Sequence, residues 1–119
     1  MIGTTQLVKA VIEGLQDKKG HRIVVADLTQ IDDTVCKYFV VCTGTSPTQV
    51  QALAHNVDDK VRKQGGGHPS AVVGMQHSLW VAMDYGDVMV HVFLPEEREF
   101  YDLEHLWADA VLTELPDEE

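Results

Sequence analysis

Two apolar runs joined by a short polar segment form the clearest hydrophobic pattern in this chain. The runs are Leu79–Met83 and Val88–Phe93, and the sequence between them is DYGD at residues 84–87. Apolar runs on either side of a glycine-containing segment are typical of a β-hairpin. We expect a turn centred on Tyr85-Gly86, because glycine tolerates the positive φ that tight hairpin turns require.

The predicted turn determines which residues of the hairpin lie opposite each other: Asp84 with Asp87, Ala82 with Met89, and Trp80 with His91. Side chains alternate across a strand, so each face can be listed. One face is wholly apolar and is assigned to the core: Leu79, Val81, Met83, Val88, Val90 and Val92. The other face is mixed: Ser78, Trp80, Ala82, Asp84, Asp87, Met89, His91 and Phe93.

The mixed face has two interpretations. In the first, a helix covers Trp80 and Phe93 while the two aspartates remain in water near the turn. In the second, the face binds a partner. Like charges placed directly opposite each other destabilise a sheet, so a cationic partner would relieve them, and aromatic side chains are frequent hot spots of protein interfaces.

The apolar spacing elsewhere predicts three helices and three further strands. Helices are expected at residues 4–19, from 47 to the glycines at 65–67, and after a charged turn at 95–99, with an apolar stripe at Leu103, Leu106, Trp107, Ala110 and Val111. Strands are expected at 22–28, 38–43 and 71–74, and an acidic frayed tail at 116–119. The result is a single α/β domain over residues 1–119, with a mixed, mostly antiparallel sheet of about five strands flanked by helices.

The helix start near residue 46 has a clear signal. Ser46 is expected to be the N-cap, Pro47 the first helical residue, and Gln49 the second half of a capping box. Thr4 or Thr5 is expected to cap the first helix. The turn at 44–46 (GTS) could also bind phosphate at the helix N-terminus, but the chain has neither a P-loop lysine nor a GxGxxG motif there.

Charge is distributed unevenly along the chain. Its 119 residues carry a net charge of −10, with a balance of +1 over residues 1–63 and −11 over residues 64–119. Phosphate binding requires Lys and Arg, so we expect no stable complex with naked nucleic acid. The acidic half instead favours a basic protein partner, although net negative charge also serves solubility.

The sequence offers few groups for chemistry. Six histidines are scattered without metal-ligand spacing, and the only cysteines, Cys36 and Cys42, are expected to be reduced, buried thiols. Asp84 and Asp87 could hold Mg²⁺ weakly, but no third acid completes a site. No apolar run approaches the ~20 residues that span a bilayer, and the N-terminus lacks a secretory signal. We therefore expect a cytoplasmic protein without cofactor, metal or membrane association.

Three motifs resemble those of the ribosomal silencing factor family, also called the Iojap family. They are CTGTSPTQV at 42–50, WVAMDYGDVMVHVF at 80–93 and REFYDLEHLW at 98–107, in unbroken order over nearly the whole chain. The resemblance implies an α/β fold related in outline to nucleotidyltransferases but without their catalytic acids. It therefore implies a non-enzymatic protein.

The resemblance also implies a partner and a mechanism. Family members bind the large ribosomal subunit through its fourteenth protein, block the small subunit and repress translation when nutrients are scarce; they often form homodimers. The residues expected to contact the partner are Trp80, Asp84, Tyr85, Asp87, Met89 and His91. One position departs from the family pattern, because Val73 stands where a glutamate usually precedes the glycine at 74.

Two other functions remain open on the sequence. One is a minimal nucleotidyltransferase that uses Ser46, Asp84 and Asp87. The other is an acidic adaptor for a basic partner unconnected with ribosomes. Metal-dependent nucleotide binding would favour the first, and failure to migrate with large subunits in a sedimentation profile would favour the second.

Overall fold

A computed structural model describes residues 2–31, 34, 36–105 and 110–117. Its elements are α1 (Thr4–Asp17), β1 (His21–Asp27), β2 (Tyr38–Thr43), α2 (Pro47–Lys63), β3 (Ala71–Val73), β4 (Trp80–Asp84), β5 (Val88–Phe93), α3 (Pro95–Tyr101), a 3-10 turn (Leu103–His105) and β6 (Val111–Glu114). The strands form one sheet in the order β3-β4-β5-β2-β1-β6. Among the described residues, no helix has the length and apolar character needed to cross a bilayer.

The sheet is mixed and mostly antiparallel, as the sequence predicts. Among the strands that the structure describes, β2 and β5 alone pair in parallel, with Val40 beside Val90, and the other neighbours run antiparallel. Six strands are present in the described chain rather than about five. The α/β class is therefore confirmed, and the additional strand comes from a segment that the sequence pattern assigns to a helix.

Helices α1 and α2 pack together on one face of the sheet and form the main core. Their apolar stripes are buried, with Val11 and Leu15 from α1 and Val57 from α2 fully enclosed. The helices approach so closely at Gly14 that an added Cβ would lie 2.9 Å from the Cα of Val57. Burial of such stripes supplies most of the stability of short helices.

Both cysteines contribute to the interior as free thiols. Cys36 and Cys42 are buried. Burial disfavours the thiolate, and it raises the pKa of Cys36 to about 11 and that of Cys42 to about 12. The expectation of reduced, buried thiols is therefore confirmed.

The start of α2 uses its predicted capping residues in a modified arrangement. Ser46 Oγ accepts from the Gln49 N–H at 3.1 Å, as an N-cap should. Gln49 Oε1, however, accepts from the N–H of Thr45 at 2.6 Å and from its hydroxyl at 2.8 Å, one residue before the cap. The second half of the capping box therefore bonds Thr45 and not the N-cap residue Ser46. The start of α1 differs from expectation, because its N-cap is Gly3 and none of the described side chains caps it.

The predicted terminal helix is wrong. Helix α3 is short and ends at Asp102, which adopts the left-handed conformation at φ 45°. After the 3-10 turn, β6 pairs antiparallel with β1, with Leu112 beside Ala26. Leu112 is half-buried in a second apolar cluster with Ala26 and Phe39. Leu106 and Trp107, which complete the predicted stripe, lie outside the described residues.

The predicted frayed tail is also wrong for the residues described there. Leu115 N–H donates to the Ile23 carbonyl, and Asp117 accepts from the Arg22 N–H at 2.8 Å and lies 3.1 Å from His21 Nδ1. Arg22 has a positive φ of 52°, at an irregularity in the β1–β2 register. The register irregularity leaves the Arg22 N–H without a partner in the β1–β2 ladder, and the Asp117 carboxylate accepts its hydrogen bond instead.

The hairpin register differs from the prediction by two residues. Trp80 pairs with Phe93, Ala82 with His91 and Asp84 with Met89. Tyr85 N–H donates to the Val88 carbonyl, so the turn centres on Gly86-Asp87 and Gly86 takes the positive φ of 85°. Glycine at the first central position is the type II′ pattern. Asp84 and Asp87 are therefore not cross-strand partners, and the predicted repulsion between them does not arise.

Candidate functional site

The sheet face opposite α1 and α2 carries the mixed side chains of the hairpin. Helix α3 lies over part of this face. Its Arg98 side chain, only 2 % exposed, extends across the sheet beneath the helix. Arg98 Nη1 donates to the Arg22 carbonyl and, at 2.9 Å, to the Thr43 hydroxyl. This buried cation fixes α3 over β1 and β2 and places the C-terminal end of α3 beside Trp80.

Trp80 lies at the centre of an aromatic cluster. Its ring stacks on Phe93 with centroids 5.0 Å apart and contacts Tyr101 of α3 at 4.5 Å. Phe100 meets Tyr101 edge-on at 5.1 Å. Aromatic pairs at these distances add stabilisation beyond the burial of their area. The half-buried indole therefore has a well-supported position on the protein surface.

A hydrogen bond ties the same indole to the sheet. Trp80 Nε1–H donates to His91 Nδ1 at 3.0 Å. His91 is 5 % exposed, and burial lowers its pKa to about 4, because desolvation penalises the charged imidazolium. The imidazole is therefore neutral at physiological pH and accepts at Nδ1.

An open groove lies directly beside Trp80. It has a volume of about 350 Å³ and is lined by residues of the β3–β4 connection, β4 and α3: Gly74, His77, Leu79, Trp80, Glu97, Phe100 and Tyr101. Phe100 is 81 % exposed, and Leu79 and Tyr101 are each 45 % exposed. Exposed aromatic and aliphatic side chains gathered around a groove mark an interaction site more strongly than scattered ones. We call this feature the Trp80 groove.

Leu79 is a correction to the sequence prediction, which places it in the core. It precedes β4 and follows Ser78, a buried residue with a φ of 56°. Strand alternation therefore does not extend to residue 79. Gly74 holds the same connection against β4, because its φ is 91° and an added Cβ would lie 2.0 Å from the Trp80 carbonyl oxygen. The wall of the groove thus depends on a close backbone contact that only glycine permits.

The six predicted contact residues divide between two sides of the sheet. Trp80, Asp84, Met89 and His91 share the face of the groove, although His91 is buried beneath it. Tyr85 packs against the main core on the helix side, and burial raises its pKa well above the usual range. The structure therefore does not bring all six into one surface.

The two aspartates have separate local partners. Asp84 Oδ1 accepts from the Gly86 N–H at 2.8 Å within the turn. Asp87 Oδ2 accepts from the hydroxyl of Thr4, the first residue of α1, at 2.9 Å and lies 3.8 Å from Lys37 Nζ. Asp87 consequently lies at the start of α1 and not on the groove face.

Sequence reasoning missed the contribution of α3. Glu97, Phe100 and Tyr101 have the spacing i, i+3 and i+4, which places them on one side of a helix. The sequence contains this helical spacing, but the strong charge of residues 95–99 favours a turn over a helix. Residues 100 and 101 then belong to the beginning of the predicted terminal helix.

Within the described ranges, no group of three or more His, Cys, Asp or Glu side chains could hold a metal ion. The turn before α2, a possible phosphate site on the sequence, uses donors of Thr45 to bind Gln49 Oε1. What the groove face can do is bind another molecule.

Comparison with known proteins identifies the family. The family model described as "Ribosomal silencing factor during starvation" matches residues 2–119. The ribosomal silencing factor of Halalkalibacterium halodurans is 37% identical over 92% of each chain, and that of Bacillus subtilis is 38% identical over 92% of this chain and 91% of its own. A crystal structure of a Chromobacterium violaceum protein superimposes with a TM-score of 0.84 at 36% identity, covering 90% of this chain and 88% of that one. The family inferred from the three motifs is confirmed, with a role in ribosome silencing: this chain belongs to the ribosomal silencing factors.

Proposed function

We propose that this protein silences ribosomes by binding the large subunit through its fourteenth protein and physically blocking the small subunit. The observation that carries the proposal is the Trp80 groove, an exposed aromatic surface on a chain with a net charge of −10. A basic protein surface is the complementary partner, since opposite potentials steer and orient association. Steric exclusion of the small subunit then requires affinity alone.

The groove provides both kinds of contact that such a partner needs. Leu79, Trp80 and Phe100 offer apolar area, and Glu97 contributes a carboxylate to the same lining. A lysine or arginine side chain can place its aliphatic stem on the rings and its charged group near the carboxylate. Asp84 lies on the same sheet face, farther from α3.

Subunit joining tests the proposal directly. Purified large and small subunits are mixed with the protein, and whole ribosomes are measured by gradient sedimentation. We expect wild-type protein to block joining and Trp80→Ala to weaken large-subunit binding at least about thirtyfold, which corresponds to ~2 kcal/mol for a central aromatic residue. Val111→Ala is the matched control, because Val111 is 61 % exposed on β6 at the opposite end of the sheet.

Charge reversal separates the groove from the hairpin turn. Glu97→Lys sets a like charge against a basic partner, so we expect it to weaken binding and to slow association. Asp87→Lys lies beside α1 and should have little effect. Wild-type protein that leaves subunit joining unchanged would refute the mechanism, and a larger effect of Asp87→Lys than of Glu97→Lys would refute the site.

We propose further that the protein acts without catalysis and works in the cytoplasm, where the subunits join. The self-capped turn at Thr45 and the separate local bonds of Asp84 and Asp87 support this. Calorimetry with ATP and Mg²⁺ should show no micromolar binding. Such binding, if lost in Asp84→Ala, would favour the nucleotidyltransferase alternative.

The same proposal predicts the behaviour toward RNA. The strongly acidic C-terminal half should prevent a stable complex with protein-free ribosomal RNA at moderate salt. Binding to the isolated basic ribosomal protein should persist and weaken as salt screens exposed charges. A gel shift with protein-free RNA at ordinary ionic strength would contradict it.

A further inference from the structure

The hydrogen bond between Trp80 and His91 determines the protonation of the histidine. An indole nitrogen can only donate, so His91 Nδ1, 3.0 Å from Trp80 Nε1, must carry a lone pair. The proton of the neutral ring is therefore on Nε2. Both the charged imidazolium and the other neutral tautomer would place two N–H groups against each other.

The histidine ring is held from several sides. His91 is 5 % exposed on β5, meets Phe39 edge-on at 5.1 Å and stacks near Phe93 at 6.1 Å. It is thus a rigid acceptor fixed to the middle of the sheet.

Ring contacts alone would leave the indole orientation incompletely specified. Phe93 stacks on the Trp80 ring and holds its plane, and Tyr101 contacts the ring at a tilt of 41°. Stacking contacts of this kind are compatible with an indole turned over within nearly the same plane. The hydrogen bond to His91 selects one of these orientations, and so determines which edge of the indole faces the groove.

The polar character of His91 also carries a cost. Among the described residues, His91 Nε2 is buried without a hydrogen-bond partner. A buried donor left unpaired is destabilising, and an apolar side chain would fill this place without that cost. A purely structural role is therefore a poor account of a histidine here.

We propose that His91 is a positioning residue for partner binding: through Nδ1 it holds the Trp80 indole in the orientation that the partner recognises. The proposal rests on the proposed function for its consequence, since it treats Trp80 as a contact residue. His91 itself is buried and makes no contact with the partner. Loss of its acceptor reduces affinity by freeing the indole, a cost that preorganisation otherwise avoids.

Three substitutions distinguish positioning from packing. In His91→Asn the amide oxygen can occupy the place of Nδ1, so the acceptor is retained. In His91→Gln the longer side chain brings its amide to the place of Nε2, and His91→Phe keeps an aromatic ring with no acceptor. We expect large-subunit binding within about threefold of wild type for His91→Asn and at least tenfold weaker for His91→Gln and His91→Phe.

The indole N–H of Trp80 gives a readout that a packing defect would not reproduce. In a ¹H–¹⁵N spectrum of the whole chain, Trp80→Phe assigns the Trp80 indole signal against that of Trp107. We expect slow solvent exchange of this signal in wild type and His91→Asn, and fast exchange in His91→Gln and His91→Phe. Urea titration shows whether each variant remains folded. If His91→Phe is unfolded, the comparison of His91→Asn with His91→Gln still distinguishes positioning from packing.

The outcomes separate this proposal from the proposed function. If wild type binds the large subunit and folded His91→Phe binds equally well, the positioning role is refuted. The positioning role is also refuted if His91→Asn and His91→Gln weaken large-subunit binding equally and the Trp80 indole signal of both variants exchanges as slowly as in wild type. If wild type fails to bind the subunit while the indole signals follow the expected pattern, the proposed function fails and the orientation of Trp80 by His91 stands.

Discussion

Acidification should destabilise the fold through His91 in a defined pH window. The pKa of this imidazole falls from 6.5 to about 4 on folding, because the ring is desolvated. Below pH 6.5 the unfolded chain takes up a proton that the folded chain still excludes, so the unfolded state binds more protons. The free energy of unfolding must then fall as the pH falls.

The size of the effect follows from the same two values. At ~1.36 kcal/mol per pKa unit, the shift corresponds to about 3 kcal/mol, fully present above pH 6.5 and lost progressively down to about pH 4. That is a large fraction of the stability of about 5–15 kcal/mol typical of a small domain. Within this window the slope attributable to His91 should approach 1.4 kcal/mol per pH unit.

Urea unfolding of wild type and His91→Asn at a series of pH values measures this contribution. Asparagine does not titrate, so the difference between the two curves removes the carboxylates and the other histidines common to both. We expect the wild type to lose about 3 kcal/mol more than His91→Asn between pH 7 and pH 4. Parallel curves would refute the reasoning, and an NMR titration placing the His91 pKa near 6.5 would do so independently.

Three further predictions concern the supports of the fold. Gly74→Ala should destabilise by more than about 2 kcal/mol in urea, since its Cβ would meet backbone, whereas Gly67→Ala, with φ 73° and open space around it, should cost only ~1 kcal/mol. Ser46→Ala should cost ~1 kcal/mol in the same assay through the lost cap; no loss would show that Gln49 suffices. Asp117→Ala should accelerate hydrogen exchange at the Arg22 amide, and unchanged exchange would contradict the observed bond.

The hairpin shows which structural features the local sequence pattern predicts and which it does not. Two turns, one centred on Tyr85-Gly86 and one on Gly86-Asp87, both use glycine, and they differ by two residues in register. A shift of two preserves which face each strand residue occupies. The groove-side positions of Trp80, Met89 and His91 could therefore be predicted, while their cross-strand partners could not.

The residues that were misplaced lie where strand alternation stops. Tyr85 and Asp87 lie in the turn, and Leu79 precedes β4. The alternation of side chains along a strand therefore does not predict which face these three residues occupy. Segment 111–114 shows a different limit, because its two adjacent apolar residues, Val111 and Leu112, are compatible with a helix or with a strand. Its strand identity comes from pairing with β1, a contact between distant parts of the chain that local spacing does not encode.

The place of β6 at the end of the strand order has a consequence for synthesis. Residues 21–27, which form β1, are synthesised well before residues 111–114, which form the strand that covers their outer edge. Throughout that interval the backbone groups of β1 on this side remain open to other extended chains, the situation in which unpaired edges promote aggregation. A protein that acts on ribosomes would thus itself depend, for the closure of this sheet edge, on a strand that is made well after the strand it covers.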